Sequence, residues 1–136
     1  MTPHASRKGS DAAALTIRVD LGRNAALGPG KIRLMELIGK LGSITKAGKA
    51  LGMSYRRAWL LVDSLNQAFR EPVVAKQMGG RGGGGAKLTD LGQRVVVSYR
   101  AIETAAALAA QRELETLQSA VAAKPANRSR RDRTSE

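Results

Sequence analysis

Two adjacent arginines, Arg56 and Arg57, are the side chains of this sequence best placed for specific chemistry. They follow Ser54 and Tyr55, and because serine is a preferred N-cap, the apolar spacing after it predicts a helix whose first turn holds both arginines. From there an arginine can donate two hydrogen bonds to guanine O6 and N7 in the major groove, and the free backbone N–H groups of the turn favour a phosphate. The pattern predicts one base contact and one phosphate contact, and it leaves open which arginine makes which.

A short helix over residues 44–51 precedes the arginine helix, and its expected role is to set the angle of that helix. Ser43 is placed to cap it, and Gly52 ends it where a left-handed residue is needed. Thr45 and Lys46 fall in its first turn, and we expect them to contact DNA phosphates together with Ser43. Capping alone would also explain Ser43.

Two aromatic residues flank the arginines. Tyr55 is predicted to touch DNA, either by stacking on a sugar or by contacting a thymine methyl, although packing at the domain edge is an equal alternative. Trp59, one turn later, is expected to be wedged between helices in the core. Ser54 is included with Tyr55 in the predicted contact surface because it begins the same helix.

A glycine-rich segment, GGRGGGG at residues 79–85, separates two strand-like stretches at residues 73–78 and 86–89. Two short strands around such a loop predict a β-hairpin with a long tip. Glycines allow the tip to run close to a DNA backbone or minor groove, where Arg81 and Lys87 would supply positive charge. The hairpin is therefore interpreted as a DNA-binding wing, with a merely flexible hairpin as the alternative.

The remaining elements are predicted from apolar periodicity. Residues 15–21 alternate apolar and polar side chains, as a half-buried strand does, and residues 29–41 repeat apolar positions at helical spacing before Gly42. The arginine helix is expected to end before Pro72.

A final helix, capped by Thr89, carries a narrow apolar stripe that is interrupted at Glu113. Small residues on such a stripe suit the close approach of two helices, so we expect a homodimer, with a buried domain helix as the alternative. The predicted dimer residues are Leu91, Val95, Tyr99, Ile102, Ala106 and Ala109.

Composition excludes several classes of function. The chain has 136 residues, no cysteine, one histidine (His4) and a net charge of +12 from 23 basic and 11 acidic residues. Without cysteine, disulfides and thiolate metal sites are ruled out. Because the single histidine lies in the N-terminal tail, no histidine metal cluster and no Ser-His-Asp triad are expected either, and we expect no enzyme, no metal and no cofactor. The charge favours a polyanion as partner.

The same composition gives a coarse domain plan. We expect a disordered tail over residues 1–14, a DNA-binding domain over residues 15–88, a dimerisation helix over residues 89–121 and a basic, disordered tail over residues 122–136. No signal peptide or membrane span is expected, so the predicted location is the bacterial cytoplasm, at the nucleoid.

The order of helix, short helix, glycine turn, capped helix and hairpin is that of a winged helix-turn-helix. The segments GSITKAGKALGMSYRRAWLLVDSLNQ and GGRGGGGAKLTDLGQRV together resemble the N-terminal DNA-binding domain of the molybdate-responsive ModE regulators and, more distantly, the LysR-type winged helix. The resemblance covers about residues 15–115. It implies a transcription factor that dimerises through the helix after the wing and through the segment before the first core helix.

The fold class expected is therefore mainly α with a small β-hairpin wing, a winged helix-turn-helix followed by a long C-terminal dimerisation helix. The expected function is a dimeric, sequence-specific regulator that binds double-stranded DNA at a palindromic operator and is linked to molybdate metabolism. Full-length ModE members carry a molybdate-binding region after this domain, so we do not expect molybdate to bind this chain directly. The alternative is a nucleoid-type protein that coats DNA without reading it.

A P-loop nucleotide enzyme is excluded because Leu88 stands where the Mg²⁺-binding hydroxyl is required.

Overall fold

The elements before the first helix form a very short hairpin. The computed structural model describes residues 12–22, 25–77 and 85–123, and strand β1 (Val19–Asp20) pairs antiparallel with β2 (Ala26–Leu27). The alternation predicted over residues 15–21 is retained as far as Asp20, since Ile17 and Val19 are half-buried while Arg18 and Asp20 are exposed, but Leu21 is exposed as well. The strand itself is shorter than predicted because its partner offers only two residues for pairing.

Three helices follow at the predicted places. Helix α1 spans Pro29–Leu41, α2 spans Ile44–Ala50 and α3 spans Tyr55–Ala68. Helix α1 has the predicted bounds, α2 ends one residue earlier than predicted, and α3 ends four residues before Pro72. Gly42 follows the end of α1 and Gly52 follows the end of α2. Their φ angles are 71° and 70°, a left-handed conformation that favours glycine.

The wing is a two-stranded sheet of β3 (Val74–Lys76) and β4 (Ala86–Leu88), paired antiparallel with Val74 opposite Leu88. Its predicted tip, including Arg81, lies outside the described residues. At its base, the backbone N–H of Ala86 donates to the Gly42 carbonyl at 3.1 Å. The wing is thereby attached to the turn that begins α2.

Helix α4 spans Asp90–Ala109, and α5 spans Gln111–Ser119. Thr89 caps α4 as predicted, because its Oγ1 accepts a hydrogen bond of 3.0 Å from the Gly92 N–H. The final helix is not continuous: it breaks at Ala110, and Glu113, where the apolar stripe was predicted to be interrupted, is exposed in the first turn of α5. A carboxylate is favourable there because it faces the positive end of the helix dipole.

The chain divides into two units, one of residues 16–105 and one whose described residues are 12–15 and 106–123. The first unit is a winged helix-turn-helix, which confirms the predicted fold class. Its buried apolar side chains are Leu27, Ile32, Leu34, Met35, Ile38, Ile44, Ala47, Ala58, Val62, Leu65, Val73, Val74, Ala86 and Tyr99.

Candidate nucleic-acid interface

Helix α3 has one buried face and one fully open face. Ala58, Val62 and Leu65 are buried, and at about 100° per residue the direction opposite to them falls between Arg56 and Leu60. Both of these side chains are exposed. We call the exposed row Arg56, Leu60, Ser64 and Gln67 the outer row of α3.

Arg56 and Arg57 begin α3 with their charges uncompensated. The Arg57 backbone N–H donates to Ser54 Oγ at 3.1 Å, so Ser54 is the N-cap that the sequence predicted. Both arginine side chains are exposed, and no described residue forms an ion pair with either guanidinium. Their full charge is thus available to a polyanion.

Tyr55 and Trp59 lie side by side on α3, and Trp59 contacts the wing. Tyr55 is 64% exposed, and its ring centroid is 6.0 Å from that of Trp59. Trp59 packs against the core as predicted, and Lys76 Nζ of β3 lies 5.1 Å from its ring centroid. Lys76 Nζ also lies 2.5 Å from Asp63 Oδ1, so it connects α3 to the wing by a cation–π contact and an ion pair.

The first turn of α2 presents its predicted contact residues unequally. Lys46 is exposed, and its backbone N–H donates to Ser43 Oγ at 3.0 Å, so Ser43 acts as the N-cap. Thr45 is half-buried, and its Oγ1 is buried with no hydrogen-bond partner among the described residues. The structure therefore turns the Thr45 hydroxyl inward, away from the surface where Lys46 lies.

Two basic residues of the wing were predicted to contact DNA, and one of them, Lys87, lies among the described residues. Lys87 is exposed and stands opposite Ala75 in the β3–β4 pair. Ser43 forms a backbone bridge to Gly85, so the start of α2 and the base of the wing are held together. The predicted phosphate contacts at the start of α2 therefore lie next to the base of the wing.

The predicted dimer residues fall into different environments. Leu91, Val95 and Ile102 line an apolar cavity of about 320 Å³ with residues of β1 and β2. Tyr99 is buried in the core of the same chain, where its hydroxyl donates to the Ile17 carbonyl at 2.6 Å. Because Tyr99 is buried within its own chain, it has almost no exposed surface with which to contact a second copy.

The two alanines of the predicted dimer stripe, Ala106 and Ala109, belong to the second unit. Ala106 is half-buried and Ala109 is exposed.

An ion-pair network that the sequence did not predict joins α1 to α4. Arg100 donates to both carboxylate oxygens of Glu36 at 2.7 and 2.9 Å and to Glu103 Oε1 at 2.7 Å. The hydrogen bonds that Arg100 donates to Glu36 are the main cause that raises the pKa of Arg100 above its ordinary value, against the opposing effect of burial. Arg100 therefore stays charged and fixes α4 against α1.

Two findings bear on other classes of site. The described residues contain no group of three or more His, Cys, Asp or Glu side chains arranged to hold a metal ion. Among the same residues, no helix is both long and apolar enough to cross a membrane.

Asn66 fixes the start of the wing to α3, a role that the sequence did not indicate. Its Oδ1 accepts from the backbone N–H groups of Val73 and Val74 at 2.8 and 3.0 Å, and its Nδ2 donates to the Val74 carbonyl at 3.0 Å. One half-buried side chain thus satisfies three backbone groups where the chain turns from α3 into β3.

Replacing Asn66 with alanine is expected to lower the free energy of unfolding by about 2 kcal/mol, because two backbone donors lose their acceptor. Chemical denaturation measures this loss, and hydrogen exchange should show the Val73 and Val74 amides losing protection first. The matched control is Gln67→Ala at the exposed neighbouring position, which should stay within about 0.5 kcal/mol of the original chain. Equal stability of the two variants would contradict the anchoring role.

The relatives of the chain are regulators and molybdenum-related proteins of bacteria. Molybdenum transport protein ModE of Azotobacter vinelandii is 44% identical over 91 residues, which are 67% of this chain and 33% of that protein. The DNA-binding transcriptional dual regulator ModE of Escherichia coli strain K12 is 41% identical over 71 residues, or 52% of this chain and 27% of that protein.

A third relative, molybdenum-pterin-binding protein MopB of Rhodobacter capsulatus, is 40% identical over 83 residues, or 61% of this chain and 31% of that protein. The chain thus spans about a third of the length of these curated relatives. No protein-family model matches it. The homologues confirm the resemblance that the motifs indicated, and the matched part of this chain is a ModE-like domain with a winged helix-turn-helix fold.

Proposed function

We propose that this chain is a sequence-specific transcriptional regulator that inserts α3 into the major groove of its operator. The observation that carries the proposal is the pair of exposed, unpaired arginines in the first turn of α3, with the wing attached beside it. A major groove admits one helix, and its base edges differ for each base pair, so arginines in that first turn can distinguish sequences. The net charge of +12 would speed the approach to DNA.

The geometry of α3 supports different roles for the two arginines. Arg56 lies about 30° from the direction opposite the buried face, whereas Arg57 lies about 70° from it. A side chain that points straight out of the helix meets base edges at the floor of the groove, and one at the side meets the groove wall. We therefore assign the base contact to Arg56 and a phosphate contact to Arg57, with Lys46 and Lys87 as further phosphate contacts.

The regulator is proposed to bind as a homodimer, and a symmetric dimer would read two half-sites of a palindrome. The support is the apolar cavity beside α4, at which Leu21 and Ile102 are 52% and 44% exposed. A second copy of the chain would cover these side chains.

The proposed setting is the bacterial nucleoid. The names of the relatives connect them with molybdenum, and the proposed target genes are accordingly those of molybdenum metabolism. Mapping of bound genomic sites with and without molybdate tests that connection.

The test begins with selection of duplexes from a random library by the full chain at about 150 mM salt. A specific regulator should enrich one sequence and bind it at least about 10³-fold more tightly than a scrambled duplex. Stoichiometry on that duplex should be two chains per palindrome. If selected and scrambled duplexes bind alike, the chain coats DNA without reading it and the proposal fails.

Arg56→Ala should lose about 1–3 kcal/mol of binding free energy on the selected duplex. Its specificity should be relaxed at one base pair and unchanged at the others. Arg57→Ala should weaken binding to all sequences and lower the slope of log affinity against log salt by about one unit. Fluorescence anisotropy over a salt series measures both effects. Arg33→Ala, an exposed position of α1, removes the same charge as a control and should leave the base preference unchanged. Two arginine variants that bind like the original chain would contradict the assignment of α3.

A further inference from the structure

Leu60 is an aliphatic side chain on the open face of α3. It is 55% exposed and follows Arg56 by one helical turn. At about 100° per residue it lies within about 15° of the direction opposite the buried residues Ala58, Val62 and Leu65. Leu60 is thus the one apolar member of the outer row, and with Gln67 it points nearly straight away from the core.

The surroundings of Leu60 leave it accessible. The next members of the outer row, Ser64 and Gln67, are polar and exposed. Asp63, three residues after Leu60, has its carboxylate 2.5 Å from Lys76 Nζ, which offsets the one negative charge of α3 that a phosphate backbone would repel. A duplex can thus approach this part of the helix as well as its first turn.

The chemistry of leucine selects what it can contact in a major groove. An aliphatic side chain neither donates nor accepts hydrogen bonds, so it cannot recognise the donor and acceptor pattern of the bases. The remaining group among the base edges is the C5-methyl of thymine, which is recognised by apolar contact.

We propose that Leu60 contacts the C5-methyl group of a thymine in the operator and is a second determinant of sequence specificity. This inference rests on the proposed function, in which α3 occupies the major groove. One helical turn is about 5.4 Å and one base-pair step about 3.4 Å, so the thymine lies within about two base pairs of the guanine contacted by Arg56.

The test uses the duplex selected from the random library by the full chain, with each thymine replaced in turn by deoxyuridine, which lacks only the methyl group. One replacement, near the Arg56 position, should weaken binding about fourfold, as expected for loss of one buried methyl group. Leu60→Ala should bind the thymine and uracil duplexes at that position equally, because the partner of the methyl is gone.

Leu117→Ala provides the matched control. It removes the same atoms from another exposed leucine, 65% exposed on α5, and should retain the fourfold preference for thymine. Because each readout is a ratio of two affinities for one variant, a uniform change in affinity does not affect the comparison. Circular dichroism verifies that both variants fold.

The outcomes separate this inference from the function on which it rests. If the chain selects a sequence but no uracil replacement affects binding, or if Leu60→Ala keeps the full preference for thymine, Leu60 does not read a methyl and the regulator proposal stands. If the chain selects no sequence at all, both proposals fail together.

Discussion

Replacing Gly92 with alanine is expected to lower the free energy of unfolding by about 3 kcal/mol. A Cβ at this position would lie 2.1 Å from the carbonyl oxygen of Val73 and 3.0 Å from its carbonyl carbon. Neither atom can move easily, because the Val73 carbonyl accepts from the Thr89 N–H at 3.1 Å and the Val73 N–H donates to Asn66 Oδ1 at 2.8 Å. The clash therefore acts on the backbone that starts the wing, between α3 and α4.

Gly30→Ala is the matched control for Gly92→Ala. Gly30 lies in the first turn of α1, and nothing approaches within 4 Å of the position that its Cβ would occupy. Alanine is the better helix former, so this variant should gain about 0.5 kcal/mol. Urea denaturation at one fixed protein concentration measures both changes. A Gly92→Ala variant as stable as the original chain would show that the wing can move away from α4.

The helices of the DNA-binding unit were predictable because their boundaries depend on local signals. Ser43, Ser54 and Thr89 each accept a hydrogen bond from a backbone N–H three residues later, and this geometry is encoded within one turn of sequence. Gly42 and Gly52 terminate helices for an equally local reason. The order of these signals was sufficient to predict the winged helix-turn-helix.

The contacts that fix one element to another were not predictable in the same way. Asn66 bonds backbone groups seven and eight residues away, and Arg100 bonds Glu36 across 64 residues. In the sequence each of these residues looks like an ordinary polar position on a helix surface. Their roles depend on which element lies opposite, and periodicity contains no such information.

The candidate site shows the same division. Periodicity placed Arg56 and Arg57 at the exposed start of α3, as the structure has them. It could not show that the Thr45 hydroxyl turns inward or that Tyr99 is held inside the core by the Ile17 carbonyl. It could not show that Leu60 is exposed, because exposure depends on whether a neighbouring element covers the side chain.

Arg100→Met is expected to lower the free energy of unfolding by about 3 kcal/mol, because it leaves a buried carboxylate without its partner. The Glu103 side chain is only 8% exposed, that of Arg100 19% and that of Glu36 31%. Methionine keeps most of the volume of the arginine side chain. The loss of stability therefore measures the effect of removing the charge rather than the effect of creating a cavity. Urea is the suitable denaturant because, unlike guanidinium chloride, it does not screen ion pairs.

Two further variants establish that the buried carboxylate causes this loss. Adding Glu103→Leu to Arg100→Met also removes the buried carboxylate and leaves only Glu36, whose side chain is 31% exposed. Apolar replacement of a buried pair is often nearly neutral, so the double variant should recover most of the lost stability. Arg18→Met breaks the ion pair with Asp20, whose side chains are 72% and 67% exposed, and should change stability by less than about 0.5 kcal/mol. A double variant less stable than Arg100→Met alone would show that Glu103 is stabilised by something other than Arg100.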